Sequence, residues 1–554
     1  MVKRRDASVK TGVLYYGDNL DILQRYIPNE SVDLIYLDPP FNSQRDYNVI
    51  FKNESGRKSD AQLLAFEDTW HWGPDAEAVY AYLTNTSRHE GRVPDSVTNI
   101  VAALRQGIGE NQMMAYLVEM AVRLVELHRT LKPIGSLWLH CDPTASHYLR
   151  LLLDATFGPL NFRNEVVWRR TNAHSDAKRF GRVHDCLLFY AKTPAATWNG
   201  VTVAYSEKYL ETYYRYKDPD GRRWRSGDAT APGGRGPRYE WHGHVRNWRY
   251  TEDNMRQLEA DRKLYYTPAG IVRVKHYLDE AEGMPAQDVW DDEAVRYIVS
   301  WSNEGLGYPT QKPEGLLERI ITSCSNPGDI VLDPFCGCGT ALVAAQKLER
   351  RWIGIDITYL AIAVMKARLK DAFGLDDVEV IGQPTEVEGA RQMAQSPDGR
   401  YQFQWWALGL IDAKPVGGVE KKGSDRGIDG VISFTDRRGE LHRVLVSVKS
   451  GNVNSSMVRD LKGTIDREKA AMGLLLTLEP YSKEMKLEAD TAGLWRSEVW
   501  KRDYPRIQIL TIEELLGGTK PQLPPFVMPT YQQAQRVETP AGEQQSIFGN
   551  GGTK

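Results

Sequence analysis

The chain has 554 residues, of which 41% are hydrophobic and 26% charged, so it has room for roughly three globular domains of ordinary soluble composition. No apolar stretch reaches the roughly eighteen residues of a membrane span, and the start lacks an apolar signal core, so we expect neither membrane insertion nor secretion. Five cysteines and a net charge of -3 argue against a disulfide framework and for a reducing cytoplasm, and they require any nucleic-acid surface to be a local basic patch.

The first informative element is the apolar run of residues 32–37, which leads directly into Asp38-Pro39-Pro40-Phe41. A short run of this kind predicts a parallel strand that is buried on both faces. The two prolines remove backbone donors and keep the next segment extended. Asp38 should therefore project from the carboxyl end of the strand, where open α/β sheets bind their ligands. An Asp-Pro turn that merely ends a strand is the alternative interpretation of this motif alone.

Residues 57–115 predict a mostly helical insertion after this loop. Its aromatic residues include Trp70 and Trp72. We expect these side chains to lie in the hydrophobic core rather than in a functional site.

Farther along, arginine alternates with tryptophan and tyrosine in a segment that includes Arg223, Trp224, Arg246 and Trp248. Arginine neutralises phosphates and binds guanine edges, and aromatic faces stack on displaced bases, so the pattern favours nucleic-acid binding. By composition alone, a solvated insertion held together by cation–π pairs explains the pattern equally well.

The stretch "GDIVLDPFCGCGTALVAAQKLERRWIGIDI", residues 328–357, predicts a strand, a glycine turn, a helix and a second strand. Gly337 and Gly339 permit a tight turn against which a ligand can lie. Asp356 ends the second strand, where an acid accepts hydrogen bonds from ribose hydroxyls. The turn lacks the ending of a P-loop and the third glycine of a dinucleotide site, so a triphosphate or dinucleotide is disfavoured. Its two cysteines are interpreted as small apolar side chains, because no matching pair of metal ligands lies nearby.

Together, Asp38-Pro39-Pro40-Phe41 and the glycine turn resemble the motifs of DNA amino-methyltransferases that use S-adenosylmethionine. Their order, with the glycine turn far downstream, resembles the β class, which includes modification subunits of restriction systems and solitary cell-cycle methylases. The segments "YYGDNLDIL", "FRNEVVWRR", "HDCLLFY" and "GYPTQKPEGLLERII" also resemble that class. The resemblance covers residues 10–375 and implies an α/β fold, with a Rossmann-like sheet in permuted motif order.

The resemblance also implies roles for individual residues. The catalytic loop would consist of Asp38, Pro39, Pro40 and Phe41. The residues implied to bind S-adenosylmethionine are Asp18, Lys312, Asp333, Phe335, Gly337, Gly339, Thr340 and Asp356. Residues 195–300 take the position of the target-recognition region, which favours DNA binding there. The expected DNA contacts are Arg223, Trp224, Arg246 and Trp248.

Amine methylation suits the residue types of the catalytic motif. An exocyclic base amine is a poor nucleophile, because its lone pair is delocalised into the ring. The acceptor-only carboxylate of Asp38 and the rigid carbonyl of Pro39 can hold it towards a methyl donor without a metal. The target base must leave the duplex, and Phe41 is the expected stacking surface. Asp at position 38 resembles adenine-specific enzymes, whereas those acting on cytosine usually have Ser. We therefore expect adenine methylation, with N4-cytosine methylation as the alternative.

After a predicted linker at 376–400, residues 401–519 predict a second, smaller α/β domain. It resembles the Mrr-like branch of the PD-(D/E)XK nucleases, a restriction-endonuclease-like fold. Asp429 and Lys449, on a predicted hairpin, match the metal-binding residues of that branch. Ser447 stands where the branch has a second ligand and is itself a weak ligand. A Mg²⁺-dependent nuclease and a degenerate or DNA-binding domain both remain open.

The leading hypothesis is therefore a cytoplasmic, site-specific DNA adenine methyltransferase that belongs to, or derives from, a restriction-modification system. Double-stranded DNA is the expected partner, and a second copy of the chain or a separate restriction component are further candidates. The alternatives are a bifunctional methyltransferase and endonuclease, and a DNA-binding protein on a decayed methyltransferase scaffold. Residues 520–554 are rich in Pro, Gln and Gly and predict a disordered tail.

Overall fold

The computed structural model of the chain describes residues 9–537 with several gaps. The gaps are 41–45, 53–57, 68–69, 174, 176–177, 179, 300–301, 303, 307, 309, 397–398, 417–426, 438–439, 526 and 532, and only the backbone is described for 46–52, 58–67 and 436–437. The chain forms two compact units, a small one of residues 200–287 and a large one that contains the rest. None of the described helices is long and apolar enough to cross a membrane.

The first part of the large unit contains seven strands and six helices among the described residues. In chain order they are β1 (Val13–Tyr16), α1 (Asn19–Tyr26), β2 (Val32–Leu37), β3 (Asp46–Lys52), β4 (Lys58–Glu67), α2 (Pro74–Thr84), α3 (Thr86–His89), α4 (Asp95–Ile108), α5 (Gln112–Thr130), β5 (Leu131–Cys141), α6 (Ser146–Phe157), β6 (Phe162–Arg169) and β7 (His184–Ala191).

The small unit is built mainly from short antiparallel strands. Its elements are β8 (Thr202–Val203), α7 (Glu207–Tyr213), β9 (Tyr216–Lys217), β10 (Arg223–Asp228), β11 (Arg238–Trp241), β12 (His244–Asn247), α8 (Glu252–Ala260), β13 (Leu264–Tyr266), β14 (Val272–Tyr277) and β15 (Met284–Pro285). Four strands form a sheet in the order β13-β14-β10-β9. Trp241, Trp248 and Met255 belong to a small hydrophobic core of this unit.

The large unit resumes after residue 287. Its next elements are β16 (Val289–Trp290), α9 (Glu314–Cys324), β17 (Ile330–Asp333), α10 (Thr340–Lys347), β18 (Arg351–Asp356), α11 (Tyr359–Phe373), β19 (Glu379–Ile381) and α12 (Val387–Gln395). The C-terminal part contains α13 (Gly399–Gly409), β20 (Lys414–Pro415), β21 (Gly430–Arg437), β22 (Glu440–Lys449), α14 (Ser455–Glu468), β23 (Met472–Thr477), α15 (Lys483–Thr491), β24 (Leu494–Arg496), β25 (Asp503–Pro505), β26 (Ile507–Thr511) and α16 (Ile512–Leu516).

A nine-stranded sheet in the order β16-β6-β7-β5-β2-β17-β18-β1-β19 organises the large unit. The strands from β5 to β19 in this order are parallel, whereas β7 runs antiparallel to β5 and β6. The carboxyl ends of β2, β17, β18 and β1 therefore meet at one edge of the sheet. Successive residues of β2 face two different hydrophobic cores, so both faces of the sheet are covered. The predicted Rossmann-like α/β fold is confirmed.

Strand β2 is buried along its whole length, as its apolar run predicts. Its one polar residue, Asp33, accepts hydrogen bonds from the Lys132 ammonium at 2.8 Å and from the backbone N–H of Ile330 at 2.9 Å. These partners compensate a carboxylate that would otherwise be costly to bury. The strand can therefore lie at the centre of the sheet and hold Asp38 at its carboxyl end.

Two segments differ from the sequence-based expectation. The insertion predicted as mostly helical at 57–115 contains strand β4, which pairs with β3, before its helices begin. Within the predicted linker at 376–400, β19 pairs with β1 at the edge of the nine-stranded sheet, and α12 follows it. The three residues of β19 are too few to show a strand pattern in the sequence. They form a strand because the edge of β1 offers backbone groups for pairing.

The C-terminal part is a second α/β layer with the sheet order β20-β21-β22-β23-β26. The predicted hairpin exists, since β21 pairs antiparallel with β22, and β22 continues into parallel pairs with β23 and then β26. Trp406 on α13 belongs to the same hydrophobic core as Leu360 on α11. The second domain therefore shares a core with the nine-stranded sheet.

Part of the predicted disordered tail packs against the large unit. The backbone N–H of Met528 donates to the Ser433 carbonyl at 2.8 Å, and that of Val537 donates to the Ala372 carbonyl at 3.0 Å. Tyr531 packs on the main core and anchors this part of the tail. The polar composition of the tail does not reveal this contact. Residues 538–554 lie outside the described residues.

Candidate active site

A cavity of about 450 Å³ opens at the edge where β2, β17 and β18 end. Its wall contains most of the residues that the sequence singled out, namely Asp18, Asp38, Pro39, Pro40, Lys312, Asp333, Phe335, Gly337, Thr340 and Asp356. Gly339 is the N-cap residue of α10 and lies between the wall residues Cys338 and Thr340. Phe41, the predicted stacking residue, lies outside the described residues.

Asp38 follows β2 directly, and its carboxylate forms an ion pair with the ammonium group of Lys312, 274 residues away along the chain. Both side chains are largely buried, with 15% of Asp38 and 12% of Lys312 exposed. The resemblance implied that Lys312 contacts the cofactor. In the structure Lys312 instead contacts the predicted catalytic carboxylate of Asp38. The ion pair joins the catalytic loop to the segment that precedes α9.

The glycine turn adopts a conformation that requires its glycines. Gly337 and Gly339 have φ values of +49° and +77°, in the left-handed region that favours glycine. A Cβ atom on Gly339 would lie 2.7 Å from Cγ of the buried Met365. The Thr340 hydroxyl, next in the chain, accepts a hydrogen bond from the Arg368 guanidinium at 3.0 Å. The turn is therefore held close to α11, with its backbone along the cavity.

Asp356 ends β18, as predicted, and its carboxylate faces this turn. It accepts hydrogen bonds from the backbone N–H of Gly337 at 2.9 Å and from the backbone N–H and hydroxyl of Thr358 at 2.8 and 2.9 Å. Burial raises the pKa of Asp356 to about 6, although these donors act in the opposite direction. The acid that is predicted to accept hydrogen bonds from ribose hydroxyls thus has a pKa close to neutral pH.

Asp333 at the end of β17 is the most enclosed carboxyl group of the cavity, with 3% of the residue exposed. Burial raises its pKa well above the usual range, and the charges of Asp38 and Asp356 raise it further. The backbone N–H of Phe335 donates to it at 3.0 Å. Asp333 therefore shares the cavity wall with Asp38, Asp356 and Lys312, and its environment favours its neutral form.

Asp18 caps the N-terminus of α1, where it accepts hydrogen bonds from two backbone N–H groups. Its other oxygen accepts from the Arg123 guanidinium at 2.7 Å. Arg123 also donates to the side chain of Asn19 at 2.6 Å, and Asn19 donates to the carbonyl of Pro334 at 2.9 Å. This chain of bonds ties α5 to the glycine turn. Sequence reasoning missed Arg123, because an arginine within a helix carries no signal of its distant partners.

A buried polar chain below the cavity was also missed. The Tyr36 hydroxyl lies 3.0 Å from Nδ1 of His140, and Nε2 of His140 lies 3.1 Å from the carboxylate of Asp185. Burial by itself would raise the pKa of Asp185, but His140, Lys312 and Arg170 lower it. Tyr36, His140 and Asp185 come from the neighbouring strands β2, β5 and β7, so only the sheet brings them together.

The family comparison agrees with this geometry. Residues 32–365 match the N6_N4 methyltransferase family model, described as DNA methylase. The chain belongs to this family. The resemblance inferred from the Asp-Pro-Pro-Phe motif and the glycine turn is confirmed.

Three relatives illustrate the range of similar proteins. The type II methyltransferase M.EcaI of Enterobacter cloacae is 32% identical over 260 residues, which cover 46% of this chain and 57% of the relative. The Mod subunit of the type III restriction-modification enzyme StyLTI of Salmonella typhimurium is 27% identical over 354 residues, or 60% and 49%. The DNA adenine methyltransferase YhdJ of Escherichia coli is 53% identical over 70 residues, or 13% and 23%. The chain thus spans about half the length of the first two relatives, 57% and 49%.

The structure corrects the expected DNA contacts in the small unit. Trp224 and Trp248 are 4% and 1% exposed, and their indole N–H groups donate to Asp218 and to the Tyr239 carbonyl, so they are core residues rather than stacking surfaces for bases. Arg223 donates to two backbone carbonyls. Trp248 belongs to the hydrophobic core of the small unit together with Trp241 and Met255. Arg246 on β12 is exposed, and its expected role stays a prediction.

The Asp429–Lys449 site of the second domain has a different character. One oxygen of Asp429 accepts hydrogen bonds from the Val448 backbone N–H at 2.6 Å and from the Ser447 hydroxyl at 3.2 Å. The Lys449 ammonium lies 4.0 Å from the same oxygen. Within the described ranges, no group of three or more His, Cys, Asp or Glu residues could hold a metal ion.

Residues 416–517 match a second family model, NACHT-associated inactive Restriction Endonuclease 1. The expected nuclease-like domain is therefore confirmed as a resemblance. Neither this match nor the geometry of Asp429 supports the Mg²⁺ site that the sequence left open.

Proposed function

We propose that the chain transfers a methyl group from S-adenosylmethionine to the exocyclic amino group of adenine in double-stranded DNA. The observation that carries this proposal is the convergence of Asp38 and Pro39 with the glycine turn and Asp356 on one cavity. The donor supplies an electrophilic methyl group on a sulfonium. The residues of the chain bind the two reactants and hold the amine in position for attack.

The cavity suits a nucleoside-containing methyl donor. Gly337, Cys338 and Thr340 of the turn line the cavity, and Gly337 carries no side chain there, so a ligand can lie on the backbone of the turn. Asp356 offers carboxylate oxygens for hydroxyl donors at the end of the next strand. The residues that would hold the donor are Asp356, Gly337 and Phe335, with Asp18 at the end of β1.

The amino group of the target base would donate hydrogen bonds to the catalytic loop. The Asp38 carboxylate is paired with the Lys312 ammonium. The arriving amine replaces this donor, and Asp38 with the carbonyl of Pro39 turns the nitrogen towards the methyl group. Methyl transfer would leave the amine nitrogen positively charged and the donor as a neutral thioether. The Asp38 carboxylate would stabilise this nitrogen and accept the proton that it loses.

Adenine is the proposed base for two reasons. Asp at position 38 resembles the adenine-specific members of the family, and YhdJ, which is named a DNA adenine methyltransferase, shares 53% identity over 70 residues. The similarity to a type III Mod subunit supports a role in restriction and modification, with a separate restriction component as a candidate partner. We infer that the second domain of this chain does not cleave DNA. The Asp429 carboxylate, the predicted metal ligand, accepts hydrogen bonds from Ser447 and Val448 of the neighbouring strand.

Methylation-aware sequencing of DNA from cells that express the chain tests base and sequence together. The proposal expects N6-methyladenine at one recurring sequence. N4-methylcytosine would replace the adenine assignment, and the absence of any methylated motif, with no binding of S-adenosylmethionine in calorimetry, would contradict the enzyme assignment. The Asp38→Ala variant should bind the donor but leave the same DNA unmethylated.

A further inference from the structure

Trp70 packs against the hydrophobic core, as its sequence context predicted, and it also lies in the wall of the catalytic cavity. It lies between β4 and α2 and is only partly buried. Its ring packs against Tyr116 of α5, with ring centroids 5.7 Å apart, and Tyr116 is fully buried. The indole is therefore supported from behind while part of it borders the cavity.

The other aromatic side chains of this wall have structural contacts of their own. Tyr36 is 2% exposed and bonded to His140. Tyr308 is 7% exposed, and its ring lies 3.4 Å from the position of a Cβ atom on Gly337, so it supports the glycine turn. Phe335 belongs to that turn itself. Among the described aromatic residues of the wall, Trp70 is therefore the one that neither forms nor supports the turn and whose polar group makes no hydrogen bond to a described residue.

The indole N–H of Trp70 is buried, and no group among the described residues accepts a hydrogen bond from it. Buried tryptophan N–H groups usually have an acceptor, as Trp138, Trp168 and Trp352 do in this chain. The same deficit occurs at Trp406, but that residue lies in the apolar core and does not border the cavity. An unpaired donor beside a binding cavity indicates a place where a ligand brings the acceptor.

We propose that Trp70 binds the target nucleotide when its base leaves the duplex, with the indole stacked on the base and its N–H donating to a sugar or phosphate oxygen beside the ring. This inference rests on the proposed function. Enzymes that modify a base in this way hold the extruded base against aromatic or apolar side chains and read its edge by hydrogen bonds. A small movement of the indole on Tyr116 would bring its N–H within reach of such an oxygen.

The test compares Trp70→Ala and Trp70→Phe with Trp72→Phe as a matched control. Trp72 is two residues away and packs on Tyr80 and Arg105, and it is not part of the cavity wall. Single-turnover methylation is measured on a duplex that contains the sequence found by methylation-aware sequencing. Trp70→Ala should lose roughly tenfold to a hundredfold in rate at low DNA concentration, as expected for a lost stacking contact. Trp70→Phe should lose less, and Trp72→Phe should stay within about twofold of wild type.

A 2-aminopurine at the target position reports directly on the base. Wild type should give a modest rise in fluorescence, because the indole quenches the extruded base. Trp70→Ala should give a larger rise despite its slower methylation. A merely structural role for Trp70 would instead diminish the rise along with the rate, which would overturn the proposal.

Calorimetry with S-adenosylmethionine separates the remaining outcomes. Both Trp70 variants should bind the donor within about twofold of wild type, whereas a large loss would assign Trp70 to the donor site and overturn the proposal. Wild-type rates in Trp70→Ala would also overturn it, and wild-type rates in Trp70→Phe alone would support stacking and overturn the hydrogen bond. If wild type itself does not methylate DNA, the proposed function fails first, independently of Trp70.

Discussion

Asp38 and Asp429 are two carboxylates that look alike in the sequence and differ in the structure. Each was predicted to be a site residue next to a strand of an α/β sheet, and each has a lysine within ion-pair distance. Asp38 borders a cavity that it shares with Asp333 and Asp356. Asp429 instead accepts hydrogen bonds from the backbone and hydroxyl of the adjacent strand. An acid and a lysine make a reactive site only where further groups converge on an accessible space.

The largest expected effect contrasts these carboxylates directly. Asp38→Asn should lower methyl transfer by roughly a hundredfold to a thousandfold, because the amide carries no charge to stabilise the positive amine nitrogen. Asp429→Asn should leave methylation within about twofold of wild type. Tritium transfer to duplex DNA at saturating donor measures both. Equal losses in the two variants would show that the second domain takes part in the reaction.

Next in size is the effect of a methyl group on the glycine turn. Gly339→Ala should weaken binding of S-adenosylmethionine roughly tenfold to a hundredfold, because its φ of +77° and the 2.7 Å approach to Met365 both oppose a side chain. The matched change in the second domain is Gly463→Ala on α14, where no atom lies within 4 Å of the added Cβ. That variant should bind the donor normally and be slightly more stable, since alanine favours helix. Calorimetry and thermal unfolding check the pair, and a fully active Gly339→Ala would show that the turn tolerates side chains.

A smaller effect should appear in the pH dependence of donor binding. Burial raises the pKa of Asp356 to about 6, and the ionised carboxylate is the better acceptor for hydroxyl groups. Affinity should therefore increase as the pH rises through about 6 and level off above it, with about tenfold weaker binding at pH 5 than at pH 7. Bound hydroxyl donors lower the pKa of Asp356, so binding at pH 6 should release a proton. Calorimetry in buffers of different ionisation enthalpy measures this release, and Asp356→Asn should abolish it. A profile that stays unchanged in Asp356→Asn would assign the titration to another group.

The smallest expected effect concerns Mg²⁺ and the second domain. Millimolar Mg²⁺ should neither produce cuts in unmethylated duplex DNA nor raise the unfolding temperature by more than about 1 °C, because a bound ion would stabilise the fold by mass action. EDTA should likewise leave methylation unchanged. Cutting that requires Mg²⁺ and is lost in Lys449→Ala would show that Asp429 and Lys449 form a working nuclease site.

The site residues at the edge of the nine-stranded sheet could be predicted from short sequence motifs. The prolines after Asp38 and the left-handed glycines at 337 and 339 are local requirements of the backbone, so they are readable without a structure. Trp224 and Trp248 show the opposite case. Their alternation with arginine suggested DNA contacts, but a unit of 88 residues at 200–287 needs them as core, and composition does not distinguish these uses.

The sequence by itself determined the fold class, the family and the two motifs, because strand patterns, prolines and glycines act over a few residues. Only the tertiary structure decided which partners those motifs meet. The ion pair of Lys312 with Asp38, the bonds of Arg123 and the position of Trp70 in the cavity wall all join segments that are distant along the chain. Such contacts depend on the order of strands in the sheet, and no local pattern encodes that order.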